Sequence, residues 1–307
     1  MRIARAINRN LEAMDKQLYD YWFVQFDFPD ESGRPYKSSG GKMVWNEKLK
    51  REIPEGWKDG TFSDIANITM GQSPDGSSYN DVGNGIIFYQ GSTDFGLRFP
   101  SVRMYTTSPT RFAKQGDILM SVRAPVGAIN IANVDCCIGR GLSAINSKIG
   151  SITYTYYVVY YMKVRFDSLN SAGTTFGSIN KDELYDLPVI VPIRNTIEHF
   201  EEKCKPIFDK QMEIGNVIER LTSLRNTLLP LLMNGQVEVS DVENDVLMAA
   251  EAEAEYGGGE VNLGSLTYFV EIFRSKICTV FPLNRVELDA EPLEKVNIAQ
   301  GLKYFTY

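Results

Sequence analysis

Asp117-Ile118-Leu119-Met120-Ser121-Val122, followed after a turn by Gly127-Ala128-Ile129-Asn130-Ile131-Ala132, decides how the middle of this chain is read. Both runs are short, rich in β-branched and long apolar residues, and bounded by Gly, Pro or Asn, the pattern of strands. Two more β-like runs flank them, Gly85 to Gln90 and Ile152 to Met162, again separated by Gly, Pro, Asn and Ser clusters. Residues 58–192 are therefore expected to form a compact, mostly β domain with a few helices.

On either side the period changes. Ile7, Leu11, Met14, Leu18 and Tyr21 recur in alternating steps of four and three. This predicts a coiled-coil-type helix from Ile3 to Phe26, roughly 24 residues and about 36 Å long. After Pro192 a second helical region begins. Pro206 fits the first position of a new helix better than the middle of an old one. Beyond it Ile207, Ile214, Ile218, Leu221, Leu228 and Leu232 form a second seam that Pro230 should kink or end. Shifted by 210 residues the two segments resemble each other, with Ile7 on Val217, Leu11 on Leu221, Met14 on Leu224 and Leu18 on Leu228, a pattern that any two amphipathic helices also share. The seams either bury each other or each buries its twin in a second copy of the chain. The fold class is α+β, a mostly β domain flanked by long coiled-coil-type helices. Its expected divisions are an N-terminal helix (1–28), a packed linker rich in turn formers (29–57), the β domain (58–192), a helical region (193–235), an acidic flexible connector (236–260) and a small C-terminal element of unknown type (261–307).

The 307 residues are 43% hydrophobic and 23% charged, which excludes disorder, collagen or coiled coil as a description of the whole. No apolar run reaches the ~18 residues of a spanning helix, so a cytoplasmic protein without membrane contact is expected. The net charge of −7 is uneven: residues 1–57 carry +1, 58–186 and 187–235 are each neutral, and 236–307 carry −8. A basic binding face in the first 235 residues has to be local.

Signatures of catalysis are missing: no GxxxxGK, HExxH, GxSxG or GxGxxG occurs, nor the Asn/Asp-Pro-Pro-aromatic motif of amino-methyltransferases. Cys136, Cys137, Cys204 and Cys278 show no CxxC spacing, and with one histidine, His199, they make no recognisable zinc site. Vicinal Cys136 and Cys137 read as buried thiols, His199 as a solvated or partly packed side chain, and Asp117, Asp135, Asp182 and Asp186 as turn or cap residues. The chain reads as a recogniser that binds no metal or cofactor.

Several stretches resemble the specificity subunits of type I restriction-modification enzymes. The strongest is Phe112-Ala113-Lys114-Gln115-Gly116-Asp117-Ile118-Leu119-Met120-Ser121-Val122-Arg123 followed by Val126-Gly127, similar to that family's K-x-GD-[IL]-L-x-S run. Gly56-Trp57, Gly71 with Ser73-Pro74, the segment 173–187 leading into Pro188 and Pro192, and Leu229-Pro230-Leu231-Leu232-Met233-Asn234-Gly235 add to it. The N-terminal Asn8 to Met14 and Tyr21 to Phe28 are similar to the region joining the two halves of full-length members. The resemblance covers roughly residues 1–240 and implies a half-length subunit with one target-recognition domain. The acidic tail departs from the family pattern.

The resemblance further implies double-stranded DNA as ligand and partner methyltransferase (M) and restriction (R) subunits. S-adenosylmethionine and ATP chemistry would then be theirs. The chain would work as a homodimer, with a second half-subunit, or be a silent recombination cassette. Reading a bipartite target needs heads in the major groove and a spacer near the ~34 Å of one DNA turn. Arg suits guanine and Gln or Asn suits adenine, so loop residues are the candidates: Gln90, Ser92, Thr93, Arg98, Arg103, Arg111, Arg123, Arg140 and Lys181. A non-enzymatic assembly protein whose β domain binds a carbohydrate or protein is the alternative, and catalysis within the β domain is a more distant one.

Overall fold

The computed structural model describes residues 2–171 and 177–234. The connector and C-terminal element expected at 236–307, Cys278 within them, and part of the 173–187 segment lie outside the described residues. Residues 1–226 form one compact unit.

The 117–132 stretch gives two neighbouring strands of a four-stranded antiparallel sheet ordered Ile129–Ile131, Ile118–Ser121, Leu142–Ser147, Ala66–Met70. All four residues Ile118–Ser121 are buried, because the sheet is covered on both faces. With a side-chain period of two, Ile118 and Met120 enter the main core while Leu119 turns to a smaller core shared with a second sheet. That second sheet is five-stranded, ordered Tyr79–Asn80, Tyr105–Thr106, Ile86–Tyr89, Cys136–Ile138, Phe112–Ala113. Its one parallel pair joins Ile86–Tyr89 to Cys136–Ile138.

Lys58–Thr61 pairs with Pro188–Val191, so the first and last strands of the β region lie side by side. This pairing brings the segments before and after the region together. Before it, 29–57, expected as a packed linker, contains a hairpin of Met43–Asn46 with Arg51–Pro54 and buries only Ile53, Pro54 and Trp57. Trp57 at its end stacks on Phe28 and meets Phe23 and Phe26.

The run 152–162, expected as a strand, is instead the first half of helix α3, where α1 is Arg2–Tyr19, α2 Phe62–Ile65 and α3 Ile152–Ser171. Its β-branched and aromatic residues mislead because the helix is buried nearly all round, with Tyr154, Tyr156, Tyr157, Val158, Val159 and Met162 in the core. Ser151 starts it, its Oγ accepting from the Tyr154 N–H at 3.0 Å, and Glu201 adds a carboxylate that accepts from the Thr153 N–H at 3.3 Å.

Helix α4 is Lys181–Tyr185, and α5 runs unbroken from Arg194 to Met233. Forty residues at 1.5 Å make it about 60 Å long. Pro206 thus does not divide the region. It lies on the exposed side of α5, as does Glu202, whose carbonyl loses its helical donor and can be hydrated. Pro230 lies one turn from the helix end.

The expected seams are the larger correction. On α1 the buried residues are Asn8, Asp15 and Tyr19, while Ile7 and Met14 are exposed and Leu11 and Leu18 half-buried. A π-helical turn, Asp20–Val24, follows, and its extra residue per turn puts Trp22 and Phe23 both on the inner side. This aromatic group packs on Phe200, Tyr154 and Tyr157 and outweighs the aliphatic row in buried area. On α5 the inward row is Ile197, Phe200, Cys204, Phe208, Gln211, Gly215 and Ile218, with Ile214, Leu221 and Leu228 only half-buried. Asp15 meets Gln211 while Trp22 and Phe23 meet Phe200, so α1 and α5 pair antiparallel within one chain.

Candidate nucleic-acid interface

Four loop segments at the strand ends are tied edge to edge by backbone hydrogen bonds. The Gly139 N–H donates to Tyr89 O at 2.8 Å, linking the 139–141 loop to the segment that opens at Gln90. The Val122 N–H donates to Gly141 O at 2.9 Å, and the Ile179 N–H donates to Val122 O at 2.9 Å. Arg123 bridges to Ser178. A fifth segment, 71–73, joins through Gly71 N–H to Leu142 O at 2.9 Å, Gln72 N–H to Ile138 O at 3.0 Å and Arg140 N–H to Ser73 Oγ at 3.3 Å.

The Gly139-Arg140-Gly141 tripeptide allows this proximity. A Cβ at Gly139 would sit 3.1 Å from the Gln90 Cα, and one at Gly141 would sit 2.7 Å from the Gln90 O. The backbones therefore touch, and the side chain that stands out between them is Arg140, which is exposed.

The loop after Tyr89 is organised by the buried carboxylate of Asp94. It accepts from the Gln90 N–H at 2.7 Å and the Gly91 N–H at 3.3 Å, and pairs with the Arg103 guanidinium. Arg103 also donates to Thr93 Oγ1 at 3.2 Å. Gln90 and Thr93 are exposed and Ser92 is half-buried.

Of the sequence-derived candidates, Gln90, Ser92, Thr93, Arg103, Arg123 and Arg140 thus fall on one connected loop surface. Arg111 adjoins it, its carbonyl accepting from the Ile138 N–H at 2.9 Å. Among the described residues Arg111, Arg123 and Arg140 form no ion pair, whereas Arg103 is committed to Asp94. Lys181 opens α4 three residues beyond Ser178, its ammonium 5.1 Å from the Tyr185 ring centre.

Arg98 does not belong to this surface. It is 7% exposed, with its guanidinium 4.9 Å from the Phe208 ring centre and 5.5 Å from that of Tyr156. Residue type alone put it among the DNA candidates; its position in the core removes it. Conversely Gln72, exposed and pinned by its backbone next to Arg140's loop, was not singled out. Its only signal was the Gly71, Ser73-Pro74 pattern around it.

Chemically the surface offers guanidinium donors and amide groups that both donate and accept, the groups that read base edges and hold phosphates. Among the described residues no group of His, Cys, Asp and Glu is arranged to hold a metal. The Cys136 thiol is pushed up to about 12, mainly by burial.

Residues 54–229 match the family model described as the type I restriction modification DNA specificity domain. A putative type I restriction enzyme MjaX specificity subunit of Methanocaldococcus jannaschii is 34% identical over 195 residues, 61% of this chain and 45% of that protein. The MjaIX specificity subunit of the same organism is 23% identical over 251 residues, 76% of this chain and 55% of that protein. Among solved structures, the HsdS subunit from Thermoanaerobacter tengcongensis superposes with a TM-score of 0.46 at 25% identity, over 77% of this chain and 54% of that one. The chain thus spans about half the length of the curated relatives it matches.

Proposed function

The chain belongs to the type I restriction-modification DNA specificity family, and from that premise we propose that it is a non-catalytic subunit that reads duplex DNA through the connected loop surface around Arg140. The observation that carries this reading is the edge-to-edge arrangement of five loop segments that presents Gln72, Gln90, Arg123 and Arg140 together, with Arg111 adjoining and all three arginines free of ion pairs among the described residues. Residues 58–192 serve as the reading head. The antiparallel helices α1 and α5 serve as the spacer, with 29–57 as the linker between head and helix. Methyltransferase and restriction subunits supply S-adenosylmethionine and ATP chemistry, and this chain binds neither cofactor. Because one head reads one short sequence, a bipartite target requires a second head, from a second copy or another half-subunit. In a homodimer the two half-sites form an inverted repeat. The complex works in the cytoplasm.

The reading is tested by comparing DNA methylation in the source organism with that in a strain lacking this gene. Loss of one gapped methylated sequence is the result expected. An unchanged methylation pattern in a strain shown to have made the protein overturns it.

A further inference from the structure

We propose that the loop Asp94–Ser101 is a docking clip, and that Arg98 and Phe99 are positioning residues that set the angle of the reading head on α5 without touching DNA. The inference rests on the reading-head assignment for its consequence, but the clip itself stands on packing.

One end of the loop holds the reading surface. Asp94 anchors Gln90, Gly91 and Arg103 through its side chain, and its carbonyl accepts from the Ser101 N–H at 2.7 Å. The other end is buried against the helix. Phe99 is 2% exposed and its ring lies over Gly215, where an added Cβ would come within 2.6 Å of the Phe99 Cε2. Glycine inside a long helix is intrinsically unfavourable. Its occurrence where a neighbouring ring needs the space is accounted for by this notch.

Arg98 reinforces the joint. Its guanidinium lies against Phe208, two turns before Gly215, and against Tyr156 of α3. Close by on α1, the buried Asp15 is held by Gln211 Nε2 at 2.7 Å, and the Arg98 charge is among the influences that lower its pKa. Asn133 Nδ2 donates to Glu219 Oε2 at 3.1 Å one turn beyond Gly215. The head therefore touches α5 at Phe208, Gly215 and Glu219, over about three turns of the helix. A short loop that orders a reading segment at one end through Asp94 and meets the helix at the other through Arg98 and Phe99 is placed to control spacing by geometry.

The test measures the head-to-helix distance by paired spin labels in the full chain. Labels go at Val82→Cys, 82% exposed on the head, and Lys203→Cys, exposed on α5, in a Cys278→Ser background, since Cys136, Cys137 and Cys204 are buried. Gly215→Ala raises helix propensity while filling the notch. It is expected to shift or widen the distance distribution with the circular dichroism spectrum unchanged. Gly215→Ala/Phe99→Leu is expected to restore the parent distribution. Selection from random duplex is run alongside. There Gly215→Ala should keep the same short sequence but bind it about tenfold more weakly, the equivalent of one good base contact. An unchanged distance in Gly215→Ala, or a failure of the Phe99→Leu change to restore it, overturns the clip. A parent chain that selects no duplex sequence, even with methyltransferase subunits present, overturns the DNA reading instead, and the distance measurement still judges the clip.

Discussion

Arg140 stands between two glycines whose backbones press on Gln90, so its side chain is the part of that loop that is free to reach outward. Arg140→Ala is expected to weaken binding to the selected sequence by ~1–3 kcal/mol and to relax specificity at one base pair if it reads a base, measured by titration against matched and mismatched duplexes. Thermal stability should stay within about 0.5 kcal/mol of the parent, because the residue is exposed. Asp15 behaves differently. Burial, opposed by Cys204, Arg98 and Gln211 and assisted by Glu201, raises its pKa to about 7. A carboxyl whose folded pKa lies above its unfolded value contributes stability that is fully present below the unfolded pKa and is lost as pH rises through about 7. Asp15→Asn should therefore remove part of the fall in stability between pH 4 and 8, on the order of 2–4 kcal/mol, in urea unfolding followed at several pH values. At this scale residue type was legible and placement was not. Arg98 and Arg140 look equivalent in sequence, yet one is stacked in the core and the other stands between loops. Nothing in the local sequence of Arg98 announces the Phe208 and Tyr156 rings that cover it, since both come from distant segments.

At the scale of elements, α5 carries a proline in its interior and remains continuous. Replacing it restores one N–H donor and relieves the contact with the carbonyl four residues earlier. Pro206→Ala is expected to raise unfolding stability by ~1–3 kcal/mol, read as an upward shift of the urea midpoint at constant slope. The exposed side of the helix, where solvent can reach the Glu202 carbonyl, is what sequence reasoning about Pro206 lacked. The same limitation explains α3: a Tyr, Val and Ile run reads as a strand until its neighbours are known to surround it. Strands at 85–90, 117–122 and 127–132 were legible because their period is local, and their register places Leu119 and Met120 in different cores. The N-terminal helix was legible in extent. Its inward face was not, because the aliphatic row of Ile7 and Met14 has a regular spacing while the buried face combines Asn8, Asp15 and Tyr19 with a π turn. Glu201→Gln should cost about 1 kcal/mol by weakening the carboxylate at the start of α3, detectable in the same unfolding experiment.

For the whole molecule, pairing of Lys58–Thr61 with Pro188–Val191 makes the head a loop-out from a helical frame, so α1 and α5 approach each other from its two ends. The alternation of helical and β regions was readable in the sequence, and the resemblance gave it a function. How the loops at the strand ends meet depends on hydrogen bonds between segments up to about seventy residues apart, which periodicity does not encode. The decisive experiment is selection by the full chain, with its methyltransferase partners, from a pool of random duplexes, followed by sequencing of what is retained. Enrichment of one short sequence, lost or altered when Gln72, Gln90 and Arg140 are replaced together by alanine, is the predicted result. Retention that is indifferent to sequence, or a selected sequence that survives the triple replacement unchanged, would contradict it.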